Sequence, residues 1–314
     1  MTRKGNRRAA FRLVPRLILG TWILVALWAS LANRTGRIEL EGVRIDRASV
    51  RLLAPMTQGV FVRDPADPGR AHFVAAGDAT GANAVSLGSH RFWMGTDRIG
   101  RDLVIVIANG ARTSLLVGTL AAAFALIVGV AIGFGAATGP RWLDGVLMRG
   151  VDALLAFPLL LLILMLDLLF DPGTAALIVL LGATQWMGIS RIARAEFQRL
   201  LSEPFVTAAR AMGAGPLHIF RHHLLRAART PILVSGLLLV GDSILIESAV
   251  SFLGFGSTAE LDSWGRLVDL GRGHLLDAWW ISTLPGLAIA LVTASANLVS
   301  DELAGAEQRR RVAW

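Results

Sequence analysis

The chain has 314 residues, of which 54% are hydrophobic, a formal net charge of +8 and no cysteine, and its mean hydropathy is +0.57. So apolar a composition excludes an ordinary soluble globule and predicts a polytopic membrane protein, while the missing thiols exclude disulfides, thiolate metal sites and cysteine nucleophiles. Lys4 is the one lysine and lies outside any glycine-rich turn, which excludes a P-loop for ATP.

The positive charge is carried by arginines that flank apolar spans, so membrane topology accounts for it and nucleic acid does not. The basic segment 1–16 precedes an uncharged run over 17–33. This predicts a first transmembrane helix with a cytoplasmic N-terminus; a cleavable signal peptide ending near Ala32 is the alternative. Residues 34–110 are polar. Ile38, Leu40, Val43 and Ile45 alternate with polar neighbours, and the apolar pieces 59–62 and 72–74 flank a turn containing Pro65, Pro68 and Gly69. They predict a small β-rich lobe with a hairpin, outside the membrane between helices 1 and 2.

Apolar runs at 113–140, 146–170, 173–190, 231–256 and 278–300 bring the expected total to six transmembrane helices, with both termini inside and 301–314 a cytoplasmic tail. Loop charges agree: 191–230 holds seven arginines against two glutamates, whereas 257–277 is net acidic. Asp152, Asp242 and Glu247 lie within apolar runs. Charges there either face a solvated pathway or are held by polar groups inside the bundle.

The connection 196–230 carries a helical pattern. Phe205, Ala208, Ala209 and Met212 recur at i, i+3, i+4 and i+7, predicting one apolar stripe. Ser202 and Glu203 predict a capped, acidic start with Pro204 in the first turn. Gly213 and Gly215 are stop signals, and Pro216 opens a second helix expected to carry Leu217, Phe220 and Leu224 on one side. Such a stripe suits either a membrane surface or a groove of another protein. His218, His222 and His223 do not have the spacing of a standard zinc site.

Several stretches together resemble one family, the inner-membrane permease subunits of ATP-binding-cassette importers for dipeptides, oligopeptides and nickel. They are Gly95-Thr96-Asp97-Arg-Ile-Gly100-Arg101-Asp102 before helix 2, Met148-Arg-Gly-Val-Asp152 with Ala156-Phe-Pro158, Ile246-Glu247-Ser248 through Gly254, and Ser263-Trp-Gly265. The similarity covers about residues 90–300. It implies the type I importer permease fold, with residues 111–300 as the core. It also implies that 203–213 is the coupling helix, in which Thr207-Ala208-Ala209 and Gly213 match a Glu-Ala-Ala-x3-Gly consensus. Thr207 replaces the consensus glutamate, and Arg226 stands where proline is common. The implied coupling residues are Glu203, Phe205, Thr207, Ala208, Ala209, Met212, Gly213, Leu217 and Phe220.

The implied partners are a second homologous permease forming a heterodimer, two ATPase subunits that bind ATP and Mg, and an extracytoplasmic substrate-binding protein. The chain itself is expected to be non-catalytic and without a cofactor, in the bacterial inner membrane. Di- and oligopeptides are the expected cargo, with nickel or a metal chelate as the alternative. A secondary transporter or a membrane receptor is the reading from other classes. The lobe at 34–90 is longer than the family pattern.

Overall fold

The computed structural model describes residues 3–312 apart from 33–35, 39, 41–42, 65, 68, 77–85, 171–172 and 256–261. A first helix, α1 (Arg3–Ala32), leads into the polar lobe, whose strands are β1 (Arg44–Ile45), β2 (Thr57–Arg63), β3 (Arg70–Ala75) and β4 (Ser86–Phe92). They form one sheet in the order β1-β3-β2-β4. The expected hairpin is β2 against β3, antiparallel from Gly59↔Ala75 to Arg63↔Ala71; Pro65 and Pro68 of its turn lie outside the described residues. Alternation buries Phe61, Phe73 and Phe92 on one side of the sheet with Val50. Phe73 meets Phe61 and Phe92 edge to face at 5.2 and 5.3 Å, the geometry that ring quadrupoles favour.

The bundle comes next in the chain: α2 (Leu103–Thr138), α3 (Arg141–Leu155), α4 (Leu159–Phe170), α5 (Thr174–Leu201), α6 (Pro204–Ala211), α7 (Pro216–Ile219), a π-helical turn (Phe220–Leu224), α8 (Leu225–Ala227), α9 (Arg229–Phe252), α10 (Trp264–Gly271) and α11 (Trp280–Val312). Among the described residues five helices, α1, α2, α5, α9 and α11, are long and apolar enough to cross a membrane. The run expected as one span over 146–170 is instead a broken pair, α3 and α4, bent by 84°. Pro158 sits at the break. It lacks an N–H, and its ring disfavours helical geometry in the residue before it. Counted as one span, this pair gives six. Other helix ends also differ from the expected spans: α2 starts at Leu103, α5 runs on to Leu201, and α11 continues through Val312 into the stretch expected as a tail from 301.

In the bundle α2 packs against α5 through small residues. A Cβ at Gly129 would lie 2.8 Å from Trp186 O, and one at Gly133 2.7 Å from Ser190 O, so the backbones touch where side chains are missing. Alternation of direction places α10 and the heads of α2 and α11 at the lobe end. The segment α6–α8 and the tails of α2, α5 and α11 lie at the other end, where Arg16 of α1 pairs with Glu302 of α11 at 3.0 Å.

Candidate functional site

The segment between α5 and α9 is anchored on its inner side. Val206 and Ala209, three residues apart on α6, are buried in a cluster with Phe197, Leu200, Ile219 and Leu224. The adjoining face is apolar and outward: Phe205 is 41% exposed, Met212 82% and, just beyond, Leu217 66%. Thr207 and Ala208 are exposed beside them. The expected stripe therefore divides. Ala209 belongs to the inward face, and Phe205, Ala208 and Met212, at i, i+3 and i+7, form the outward one.

The ends of α6 are set by backbone chemistry. Glu203 is the N-cap residue and Pro204 fills the first helical position, with no side-chain cap bond. Ser202, expected to cap α6, closes α5 instead, its hydroxyl donating to Arg199 O at 2.7 Å. The Glu203 carboxylate pairs with Arg199 at 3.1 Å, and Arg199 also holds Glu196 at 2.7 Å. At the C-terminal end Gly213 takes φ +86°, a left-handed conformation that costs a side-chain-bearing residue energy. Its N–H donates to Arg210 O at 2.9 Å and that of Ala214 to Ala209 O at 3.0 Å, closing a Schellman motif.

Leu217, Phe220 and Leu224 do not share a side as expected. Leu217 is exposed and Leu224 buried, while Phe220 lies 4.1 Å from Phe134 between ring centroids. The π-helical turn over 220–224 adds a residue to the turn and so rotates the next stretch of helix. His218 and His222 stack at 4.3 Å, and His223 lies 6.2 Å from Phe205.

At the lobe end the Gly95–Asp102 motif is a knot. The Thr96 hydroxyl donates to Val50 O at 2.6 Å and accepts from Leu53 N–H at 2.8 Å, tying the lobe down. The Trp280 indole N–H donates to Thr96 O at 3.3 Å, tying in α11. Asp97 accepts from the N–H groups of Ile99 (2.9 Å) and Arg101 (2.8 Å) and pairs with the Arg101 guanidinium at 2.7 Å. Arg101 reaches both oxygens of Asp262 at 2.9 Å. Burial alone would lower the pKa of Arg101, but Asp262 and Asp97 more than reverse this and raise it. Burial pushes Asp262 above the usual carboxylate range, against the opposing pull of Arg101. Asp102 caps α2, accepting from Val104 N–H at 2.9 Å. Gly95 and Gly100 leave room for the lobe: a Cβ would come within 2.4 Å of Leu53 O or 2.6 Å of Val50 Cγ2.

The three span carboxylates singled out from the sequence, Asp152, Asp242 and Glu247, have different fates. Glu247 is fully buried and accepts from the hydroxyls of Ser251 (2.8 Å), Ser114 (3.0 Å) and Ser248 (3.4 Å), with Ser263 also in contact. Asp152 pairs loosely with Arg191 at 3.7 Å, both side chains 59% exposed. Asp242 is exposed on α9 and has no ion pair or hydrogen bond among the described residues. Sequence reasoning did not single out Asp262, Asp144 or Trp264. Asp144 of α3 grips Arg194 of α5 with both oxygens. Trp264 is fully buried, its indole N–H donating to Ile107 O at 3.0 Å. The only signal for Trp264 was the Ser-Trp-Gly motif, and the other two had none.

A family model described as the binding-protein-dependent transport system inner membrane component matches residues 125–312. A putative peptide transport system permease protein of Brucella suis biovar 1 (strain 1330) is 38% identical over 209 residues, 67% of this chain and 70% of that protein. The di/tripeptide transport system permease protein DppC of Pseudomonas aeruginosa (strain UCBPP-PA14) is 34% identical over 216 residues, 69% of this chain and 71% of that protein. An inward-facing structure of the MetNI methionine ABC transporter shares the fold at a TM-score of 0.52 and 16% identity, over 64% of this chain and 97% of that one.

Proposed function

The chain belongs to the family of inner-membrane components of binding-protein-dependent transport systems, and from that premise we propose that it forms one half of the translocation pathway of an ATP-driven importer of di- and oligopeptides. Peptides are preferred to nickel chelates because relatives at 34% and 38% identity carry peptide-transport names. The protein has no chemistry of its own in this reading. ATP and Mg belong to two cytoplasmic ATPase subunits, a second homologous permease completes the pathway, and an extracytoplasmic binding protein delivers cargo. The arginine-rich 191–230 connection and both termini lie in the cytoplasm, by the distribution of positive charge.

One observation carries the reading: an outward apolar face, Phe205, Ala208 and Met212 with Leu217 of α7 just beyond, borders on α6, whose inward face is locked into the bundle by Val206 and Ala209. A free surface of that kind suits a groove in another protein, and its rigid underside passes displacement on to α5 and α9. Closure of the ATPase dimer on ATP pulls α6, and the bundle exchanges inward for outward access. Work is done only through contacts that differ between the two states. Ala208→Arg is the test. Its side chain points away from its own bundle, so the complex should assemble in the membrane while ATP-driven peptide uptake is lost. Uptake at the unaltered rate would overturn the coupling assignment.

A further inference from the structure

Asp242 lies near the middle of the 24-residue α9, inside an apolar run, yet it is exposed on the surface of the chain. A carboxylate turned to lipid at that depth is costly, so the group belongs to a wet or covered place. The structure supplies the place. A cavity of about 570 Å³ opens where α3 and α4 bend, walled by Phe157, Pro158, Met187 and Leu239 and floored by Gln185 and Asp242. The polar side chains that line the cavity with Asp242 make hydrogen bonds to other groups. Gln185 Oε1 accepts from the Ser243 hydroxyl at 3.1 Å, Gln185 Nε2 donates to Leu181 O at 3.2 Å, and the Thr184 hydroxyl donates to Leu180 O and Leu181 O at 3.0 Å.

We propose that this cavity is a cargo-contact site of the translocation pathway, in which Asp242 receives the free α-ammonium group of a peptide while the leucine, phenylalanine and methionine walls accept side chains of any kind. The chemistry selects an ammonium over a metal ion. A hard divalent cation asks for about six oxygen ligands, and a single free carboxylate among hydrocarbon walls does not provide them. One carboxylate with a loose apolar surround suits an amine whose attached residue varies. The inference rests on the peptide reading above and deepens it.

The chain lacks cysteine, so Leu245→Cys, one turn from Asp242 on the same cavity wall, gives it a single thiol. The complete importer, reconstituted in vesicles, is treated with a cationic and an anionic methanethiosulfonate of equal size, and labelling is read on this subunit by mass spectrometry. The cationic reagent should react about tenfold faster, the ratio should collapse in Leu245→Cys/Asp242→Asn, and a free-amine tripeptide should slow labelling where its N-acetyl analogue does not. No labelling by either reagent would mean that the second permease or lipid covers Asp242, and would overturn the proposal. So would a ratio indifferent to Asp242, or equal protection by the two peptides. Uptake of the tripeptide by the unsubstituted importer is measured alongside. Its absence would overturn the peptide reading itself, whereas normal uptake with an unselective thiol would overturn the site alone.

Discussion

Arg101 stands between two carboxylates with little water to screen them. Removing the cation leaves Asp97 and Asp262 facing each other, and uncompensated buried charges cost about 3–5 kcal/mol. Arg101→Ala should therefore lower the thermal stability of the purified complex markedly, and Arg101→Lys should restore only part of it, because one ammonium cannot span both acids with a fork. The pH dependence has a definite sign. Asp262 titrates above its ordinary value, so its protonated form favours folding below that value and the benefit is lost as pH rises through the raised one. The Arg101→Ala defect should be smaller at pH 5 than at pH 8, as melting curves at the two pH values will show. Gly213 differs in kind. No atom lies within 4 Å of a Cβ built there, so Gly213→Val acts through backbone strain of about 1–2 kcal/mol at the end of α6. Uptake should fall well before the complex comes apart.

Between elements, tolerance depends on how closely backbones approach. Gly133→Leu must push Ser190 and Arg194 away from α2, and overpacking of this kind costs about 1–3 kcal/mol. The expected outcome is a drop in melting temperature with loss of assembled complex, measured by size-exclusion chromatography. The long apolar runs, the hairpin and the glycine stop after α6 were legible in the sequence because each is encoded locally, by hydropathy, alternation or a residue suited to positive φ. The bend at Pro158 had a local sign as well, but apolar residues on both sides of it, 153–157 and 159–166, hid it. The division of the α6 stripe was not legible, since periodicity says which residues share a side and not which of two neighbouring sides meets the bundle. Asp262 was beyond reach: 161 positions separate it from Arg101, and only the fold brings them together. The π-helical turn, which sends Leu217 and Leu224 to different sides, has no composition of its own.

Across the whole molecule the two ends are linked by continuous helices, α2, α9 and α11, with the lobe at one end and α6 at the other. The lobe is braced on the bundle through Val50, Leu53 and Thr96, so removing 40–85 deletes part of the support for the start of α2. That deletion should reduce melting temperature and uptake together, whereas shortening only the β2–β3 connection at 64–69 should leave the melting temperature almost unchanged. A comparison of the two variants by differential scanning fluorimetry and transport assay separates support from capture.

The indole of Trp280 and the hydroxyl of Thr96 join the lobe to the heads of two long helices, and this makes the lobe a handle. In the topology proposed above, an antibody fragment that grips it would brake those helices without entering the membrane, and nucleotide turnover by the assembled importer would register the grip.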